Sequence, residues 1–242
     1  MDKVSVIIPI HNIRHRGFKR VLYSVYSLME QIDHIEDIII VNSSINADYD
    51  ELEHLLKGLP VRHIHLPQHS FNKPLLLNYG IKHACNAKYI LCTDADYLFK
   101  KDFLGICENH RGDSVMMHKQ VKMLPRINHS MSSIRKWKYP YSEFNVWGKL
   151  ANGACQYATR DFFINNPYPE EMDGFSAMDN IMTYIAYNKG LSIKWIDESE
   201  ILHQHHPIAN KMGGLNLDKF RRNQRFLAKY IKENNLPILL KR

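Results

Sequence analysis

Apolar residues recur along the first hundred positions with two alternating periods. Val4-Ser-Val-Ile-Ile-Pro-Ile10 is a β-branched run of strand length. Phe18, Val21, Leu22, Val25 and Leu28 fall at helical spacing within residues 18–31. Ile38–Val41 is a second apolar run, and Tyr49–Lys57 reads as a short helix ending near Gly58. Val61–Leu66 predicts a third strand, with Val61, His63 and His65 on one face. Pro74–Ala84 predicts a helix whose first turn suits Pro74. Lys88–Thr93 then runs as a strand into Asp94-Ala-Asp96. Strand and helix alternating at this pitch predict an α/β fold, with a mostly parallel central sheet covered on both faces. Ligands of such sheets bind at the carboxyl ends of strands. Those ends carry His11-Asn12, Asn42-Ser43-Ser44, Gln68–Lys73 and Asp94–Asp96.

The second half is less regular. Val115–His118, Ala154–Ala158 and Ser192–Ile196 read as strands, and Ala177–Asn188 as a helix closed by Gly190. Leu217, Phe220, Gln224, Leu227 and Ile231 form a helical stripe ending before Pro237. Asn165–Glu170 is a Pro-containing loop.

Composition narrows the class. The chain has 242 residues, 45% hydrophobic and 24% charged, which suits a folded domain with a sizeable core and excludes a disordered or low-complexity chain. Its net charge of +7 is unevenly placed. Residues 119–149 hold seven basic side chains against the single acid Glu143, and residues 211–242 hold nine against Asp218 and Glu233. The rest of the chain is therefore acidic. Trp137, Tyr139, Tyr141, Phe144 and Trp147 interleave with the first basic segment, as in a mobile loop that stacks on sugar or base, or in a solvated loop covering the core. Four cysteines (Cys85, Cys92, Cys107, Cys155) show no paired spacing and are expected to be reduced. No run approaches membrane-span length, so a cytoplasmic protein is expected.

Asp94-Ala-Asp96 leaving an apolar strand is the sharpest chemical signal. Two carboxylates there can hold a hard divalent cation that bridges diphosphate oxygens, or can simply cap a turn. Context narrows the choice. VSVIIPIHN, FNKPLLLNYGIKHA and YILCTDADYLF occur in order, followed by NGACQYATRDFF, MDGFSAMDNIMTYIAYNKG and LHQHHP. Together they resemble the family 2 type of GT-A glycosyltransferase, and most closely its β-1,4-galactosyltransferase and chondroitin-polymerase-like group, over roughly residues 3–207.

The resemblance implies a GT-A (Rossmann-like) domain over residues 1–210, with a nucleotide-binding half (1–100) and an acceptor half (101–210), and a basic helical extension over 211–242. It implies a metal-dependent inverting transfer from a UDP-sugar to a hydroxyl on a glycan or on a hydroxylated DNA base. Asp179 falls on the position of the catalytic base. Mn2+ or Mg2+ is expected on Asp94, Asp96 and His203, with His206 as the alternative histidine. Donor contacts are expected from Pro9, His11, Asn12, Asn42, Asn72, Lys73, Asn78, Asp94 and Ala95. Acceptor contacts are expected from Trp147, Gly153, Phe175 and Met178. Two departures stand out: Asn42 replaces the usual acidic residue after the second strand, and Gly174-Phe-Ser-Ala-Met178 replaces a tryptophan-glycine-rich acceptor motif. Asn42 also favours a rival reading, a nucleotide-sugar-binding module without catalysis. A nucleotidyltransferase would need a glycine-rich loop where Pro9-Ile-His-Asn12 stands.

Overall fold

The computed structural model describes residues 2–13, 16–45, 48–84, 86–112, 114–118, 121–124, 142–144, 153–173, 177–196, 198–205 and 217–238. The first half runs β1 (Val4–Ile10), α1 (Arg16–Met29), β2 (Ile35–Asn42), α2 (Asp48–Leu56), β3 (Val61–His65), α3 (Lys73–His83), β4 (Tyr89–Cys92) and β5 (Tyr97–Phe99). There follow α4 (Phe103–Asn109), β6 (Ser114–Met117), β7 (Val121–Met123), β8 (Ser142–Phe144), β9 (Gln156–Thr159) and α5 (Arg160–Asn165). The described chain ends with α6 (Met178–Asn188), β10 (Ser192–Trp195), β11 (Ile201–His203) and α7 (Leu217–Glu233).

The main sheet has seven strands in the order β10-β6-β9-β4-β1-β2-β3. β1 pairs in parallel with both β2 and β4, which makes it a central strand buried along its whole length. Its side chains alternate between two layers. Val4, Val6, Ile8 and Ile10 join Phe18, Val21, Val25 and Leu28 of α1 on one face. Ile7 meets Leu76, Leu77 and Ile81 of α3 on the other. Fully burying one such side chain stabilises by about 1.5–3 kcal/mol, so the stability of the fold is concentrated at this strand and its neighbours. α3 sits close enough that a Cβ on Gly80 would lie 2.4 Å from Ile7 Cγ2.

The chain moves outward from β1 through β2 to β3 and then returns to the opposite side of β1 as β4. That reversal creates a switch-point crevice beyond the carboxyl ends of β1 and β4. One strand departs from the parallel pattern: β9 runs antiparallel between β4 and β6, with Gln156 opposite Cys92. The sequence placed this strand two residues early, because Ala154 and Cys155 are as apolar and buried as the ladder residues.

A second sheet, ordered β5-β11-β7-β8, lies beyond the expectations drawn from sequence. Its strands are three residues each, too short for a periodic signal. α7 packs through Leu227 and Asn223 and keeps Arg221, Arg222 and Arg225 exposed. Cys92, Cys107 and Cys155 are buried and form no disulfide. Among the described residues, no helix is long and apolar enough to cross a membrane.

Candidate active site

Asp94 leaves the sheet at the switch point. The Thr93 amide still donates to the Ile7 carbonyl at 3.1 Å, and the Asp94 amide donates to the Gly153 carbonyl at 3.0 Å. Lys73 opens α3, capped by Asn72, whose side chain accepts from the Leu75 amide at 3.0 Å. The lysine is only 6% exposed. Its Nζ lies 2.7 Å from Asp94 Oδ1 and 3.1 Å from Asp179 Oδ1. Burial alone would lower the pKa of this ammonium, but Asp179 and Asp94 outweigh burial and hold it above the ordinary lysine value. Lys73 is therefore a permanent cation tying the end of β4 to the start of α6.

Asp179 stands in the first turn of α6, where helix amides favour negative charge. The residue before the helix, Ala177, has φ 64°, a left-handed conformation that costs a non-glycine residue about 1–2 kcal/mol. Gln156, at the start of β9, donates from Nε2 to Asp179 Oδ1 at 2.5 Å. The Tyr168 hydroxyl donates in turn to Gln156 Oε1. Cys92 also hydrogen-bonds Tyr168, and burial pushes its thiol up to about 12, so it remains protonated.

Asp96 and His203 meet across the second sheet. Tyr97 of β5 is in register with His203 of β11, and the Gln204 amide donates to the Asp96 carbonyl at 2.8 Å. His203 Nε2 consequently lies 3.4 Å from Asp96 Oδ2, with its ring edge-on to Tyr97 at 5.0 Å. Burial raises the pKa of Asp94 to about 6, Lys73 opposes this, and Asp179 and Asp96 add to it. Two carboxylates thus share one lysine, and the third, Asp96, adds its charge to Asp94. A divalent cation relieves such crowding, and carboxylate and imidazole are ligands that Mn2+ and Mg2+ accept. No group of three metal-binding side chains assembles among the described residues. The Asp96–His203 pair matches ions that take one or two protein ligands and complete their shell with water and substrate phosphate.

The other side of the crevice is built from the ends of β1 and β2. His11 Nδ1 is 2.9 Å from Ser43 Oγ, and the Asn12 amide donates to Ser44 Oγ at 2.8 Å. The His11 ring stacks near Phe71, 5.9 Å between centroids. Pro9 lies in β1 opposite Val41. Asn42 is not presented to this pocket. It is 1% exposed, its Oδ1 accepts from the Ser44 amide at 2.9 Å, and its Nδ2 faces His63 Nε2 at 3.2 Å. His63 in turn meets Glu53 at 2.6 Å, so the tautomer that satisfies both contacts carries its proton on Nδ1.

Asn72 and Asn78 stand behind Lys73 rather than beside it. Asn72 Nδ2 donates to the Glu170 carbonyl at 3.0 Å. Asn78 exchanges two 2.9 Å bonds with the backbone of Tyr168. Both hold the loop after α5 against α3. Gly153 abuts Asp94 and Lys73, Ala95 packs against the core, and Met178 is a core residue. His206, Trp147 and Phe175 lie outside the described residues. Gln156 and Tyr168 are missing from the set read off the sequence. A lone glutamine inside the apolar strand Ala154–Ala158 was the available signal, since an unpartnered buried amide is costly.

Residues 5–110 match the model of the family described as Glycosyl transferase family 2. No curated protein matches the chain significantly in sequence. Among solved structures, GalNAc-T7 crystallised with UDP, GalNAc and Mn2+ is similar at TM-score 0.65 and 12% identity, covering 85% of this chain and 44% of that one. S. aureus TarS 1–349 is similar at TM-score 0.62 and 20% identity, covering 95% and 65%. Its complex with UDP-GlcNAc gives TM-score 0.64 at 19% identity, covering 95% and 66%. The fold is thus GT-A-like, and the chain spans between about two fifths and two thirds of the length of these structures.

Proposed function

We propose that this chain is an inverting glycosyltransferase that moves a sugar from a UDP-sugar to a hydroxyl acceptor. The observation that carries the reading is the Lys73 bridge, which brings the carboxylate after β4 and the carboxylate opening α6 to one ammonium. Donor and base chemistry are thereby set beside each other. The family match over the donor half supports it, as do structural neighbours crystallised with UDP-GlcNAc or with UDP and GalNAc. An N-acetylhexosamine donor is the first to test. The β-1,4-galactosyltransferase and chondroitin-polymerase-like group remains the subgroup whose ordered motifs this chain follows, with residues 1–210 as its catalytic domain and 211–242 as an extension. The acceptor is a carbohydrate hydroxyl, and the basic helix α7 makes a hydroxylated DNA base the comparison to run beside it.

In the reaction, the acceptor oxygen attacks the anomeric carbon as its proton passes to the Asp179 carboxylate. The bond from that carbon to the β-phosphate oxygen breaks, and its electron pair leaves on UDP. Asp179 serves as the base, Asp94 is engaged by Lys73 and Asp96 by His203, so displacement is single and the anomeric configuration inverts. Lys73 supplies fixed positive charge beside the diphosphate. Asp96 and His203, with Asp94 alongside, are the residues that would hold Mn2+ or Mg2+, whose chemistry is to neutralise charge on the departing diphosphate. Pro9, His11, Asn12 and Ala95 border the nucleoside.

UDP release from UDP-GlcNAc and UDP-GalNAc with Mn2+, over a panel of glycan and hydroxylated-DNA acceptors, tests the assignment. Asp179→Asn is expected to lower turnover by ~10²–10⁴-fold, the usual contribution of a general base. Asp96→Ala is expected to abolish it. Unchanged turnover in either variant overturns the mechanism. UDP binding with no turnover in the wild type returns the non-catalytic module.

A further inference from the structure

We infer that Gln156 is a positioning residue for Asp179, and that Tyr168 sets the direction in which its amide points. The inference rests on the reading of Asp179 as the base. Both hydrogen bonds that reach Asp179 from Lys73 and Gln156 end on the same oxygen, Oδ1, at 3.1 and 2.5 Å. Oδ2 receives neither. A carboxylate held by one edge in this way presents a defined second edge, and a proton acceptor must offer one oxygen at one angle to the attacking hydroxyl.

The direction of the Gln156 amide is not left to chance. An amide can turn end for end and present its oxygen instead of its nitrogen. The Tyr168 hydroxyl donates to Oε1 while the Asp179 carboxylate accepts from Nε2, so the two ends together fix the direction of the amide. Tyr168 is itself held. Its amide donates to Asn78 Oδ1 and its carbonyl accepts from Asn78 Nδ2, each at 2.9 Å, and its ring stacks parallel to Phe163 at 5.9 Å. Gln156 and Tyr168 are 2% and 1% exposed, so water does not compete for these bonds. The chain Asn78–Tyr168–Gln156–Asp179 runs from α3 to α6 through the loop after α5 and the first residue of β9.

Steady-state kinetics with UDP-GlcNAc or UDP-GalNAc, whichever the wild type turns over, test this in Gln156→Leu, Tyr168→Phe, the double variant and Asp179→Asn. Gln156→Leu is expected to lower kcat by ~10²-fold with the donor KM within about twofold, since a misplacement near 1 Å has that cost. Tyr168→Phe is expected to lower kcat by about tenfold, a smaller loss than Gln156→Leu, because Oε1 loses its donor and the amide then leaves the Asp179 contact in most of the population. The double variant should be no slower than Gln156→Leu, because the tyrosine acts through the glutamine. A kcat within twofold of wild type in Gln156→Leu overturns the inference while Asp179→Asn shows its expected loss. Effects of the two substitutions that multiply, or a rise in donor KM that accounts for the loss, also overturn it. An active Asp179→Asn overturns the base assignment and this inference together. If Gln156→Leu does not fold, Tyr168→Phe decides: unchanged kcat is against the inference, and a loss confined to kcat supports it.

Discussion

A Cβ placed on Gly153 would lie 2.0 Å from Oδ2 of Asp94, and 2.9 Å from Nζ of Lys73. The backbone at the start of the β9 segment therefore forms one wall of the carboxylate's seat. Only a hydrogen fits there. Gly153→Ala must push Asp94 off Lys73 or open β4 from β9. Turnover is expected to fall ~10²-fold, as for other displacements near 1 Å. UDP-release kinetics check the loss, and a thermal melt separates it from unfolding.

Lys73 neutralises two carboxylates at once. Lys73→Met removes the cation and leaves Asp94 and Asp179 facing each other in a partly buried site. The expected cost is on the order of 2 kcal/mol, that of removing a charged hydrogen-bond partner. Urea denaturation measures it. Added Mn2+ should recover part of that stability, because the ion opposes the same charges.

Ala177 holds a left-handed conformation immediately before α6. Glycine adopts that geometry without strain but loses more chain entropy on folding. Ala177→Gly is expected to stabilise by about 0.5–1 kcal/mol, a rise in Tm of roughly 1–4 °C for a chain of this size. A fall in Tm would contradict this.

His63 should give the fold an acid-sensitive component. Burial lowers its pKa below 6.5, despite the opposing contact with Glu53. In the unfolded chain the imidazole takes up a proton first as pH falls, so stability is present above about 6.5 and declines below it. His11 is lowered by burial in the same direction. Unfolding free energies measured between pH 5 and 8 should slope accordingly, and His63→Gln should flatten the slope.

Much of the amino-terminal half was legible because its main strands and helices are long enough to repeat their period. β1, α1, β2 and α3 carry their buried residues at the spacing that identifies them. Lys73, Asp94 and Asp179 were found through motif order, and the structure brings them together. Three features were hidden for physical reasons. A three-residue strand has no period, which concealed the sheet that sets Tyr97 opposite His203 and so brings Asp96 to the imidazole. Side-chain networks across distant loops leave no trace in local pattern, which concealed Tyr168 behind Gln156. The placement of Asn42 depends on a histidine from the neighbouring strand, so its amide is turned inward where a strand-end position suggested a ligand contact.

The pairing of β5 with β11 joins Tyr97 to His203, about a hundred residues further along the chain. During synthesis at ~5–20 residues per second, that separation corresponds to roughly 5–20 s. The nascent chain holds its first four strands and Asp94-Ala-Asp96 well before the histidine leaves the ribosome. The Asp96–His203 pair therefore forms only after the parallel core has been synthesised, and a chain released before Ile201 lacks that imidazole however well its amino-terminal layers have condensed.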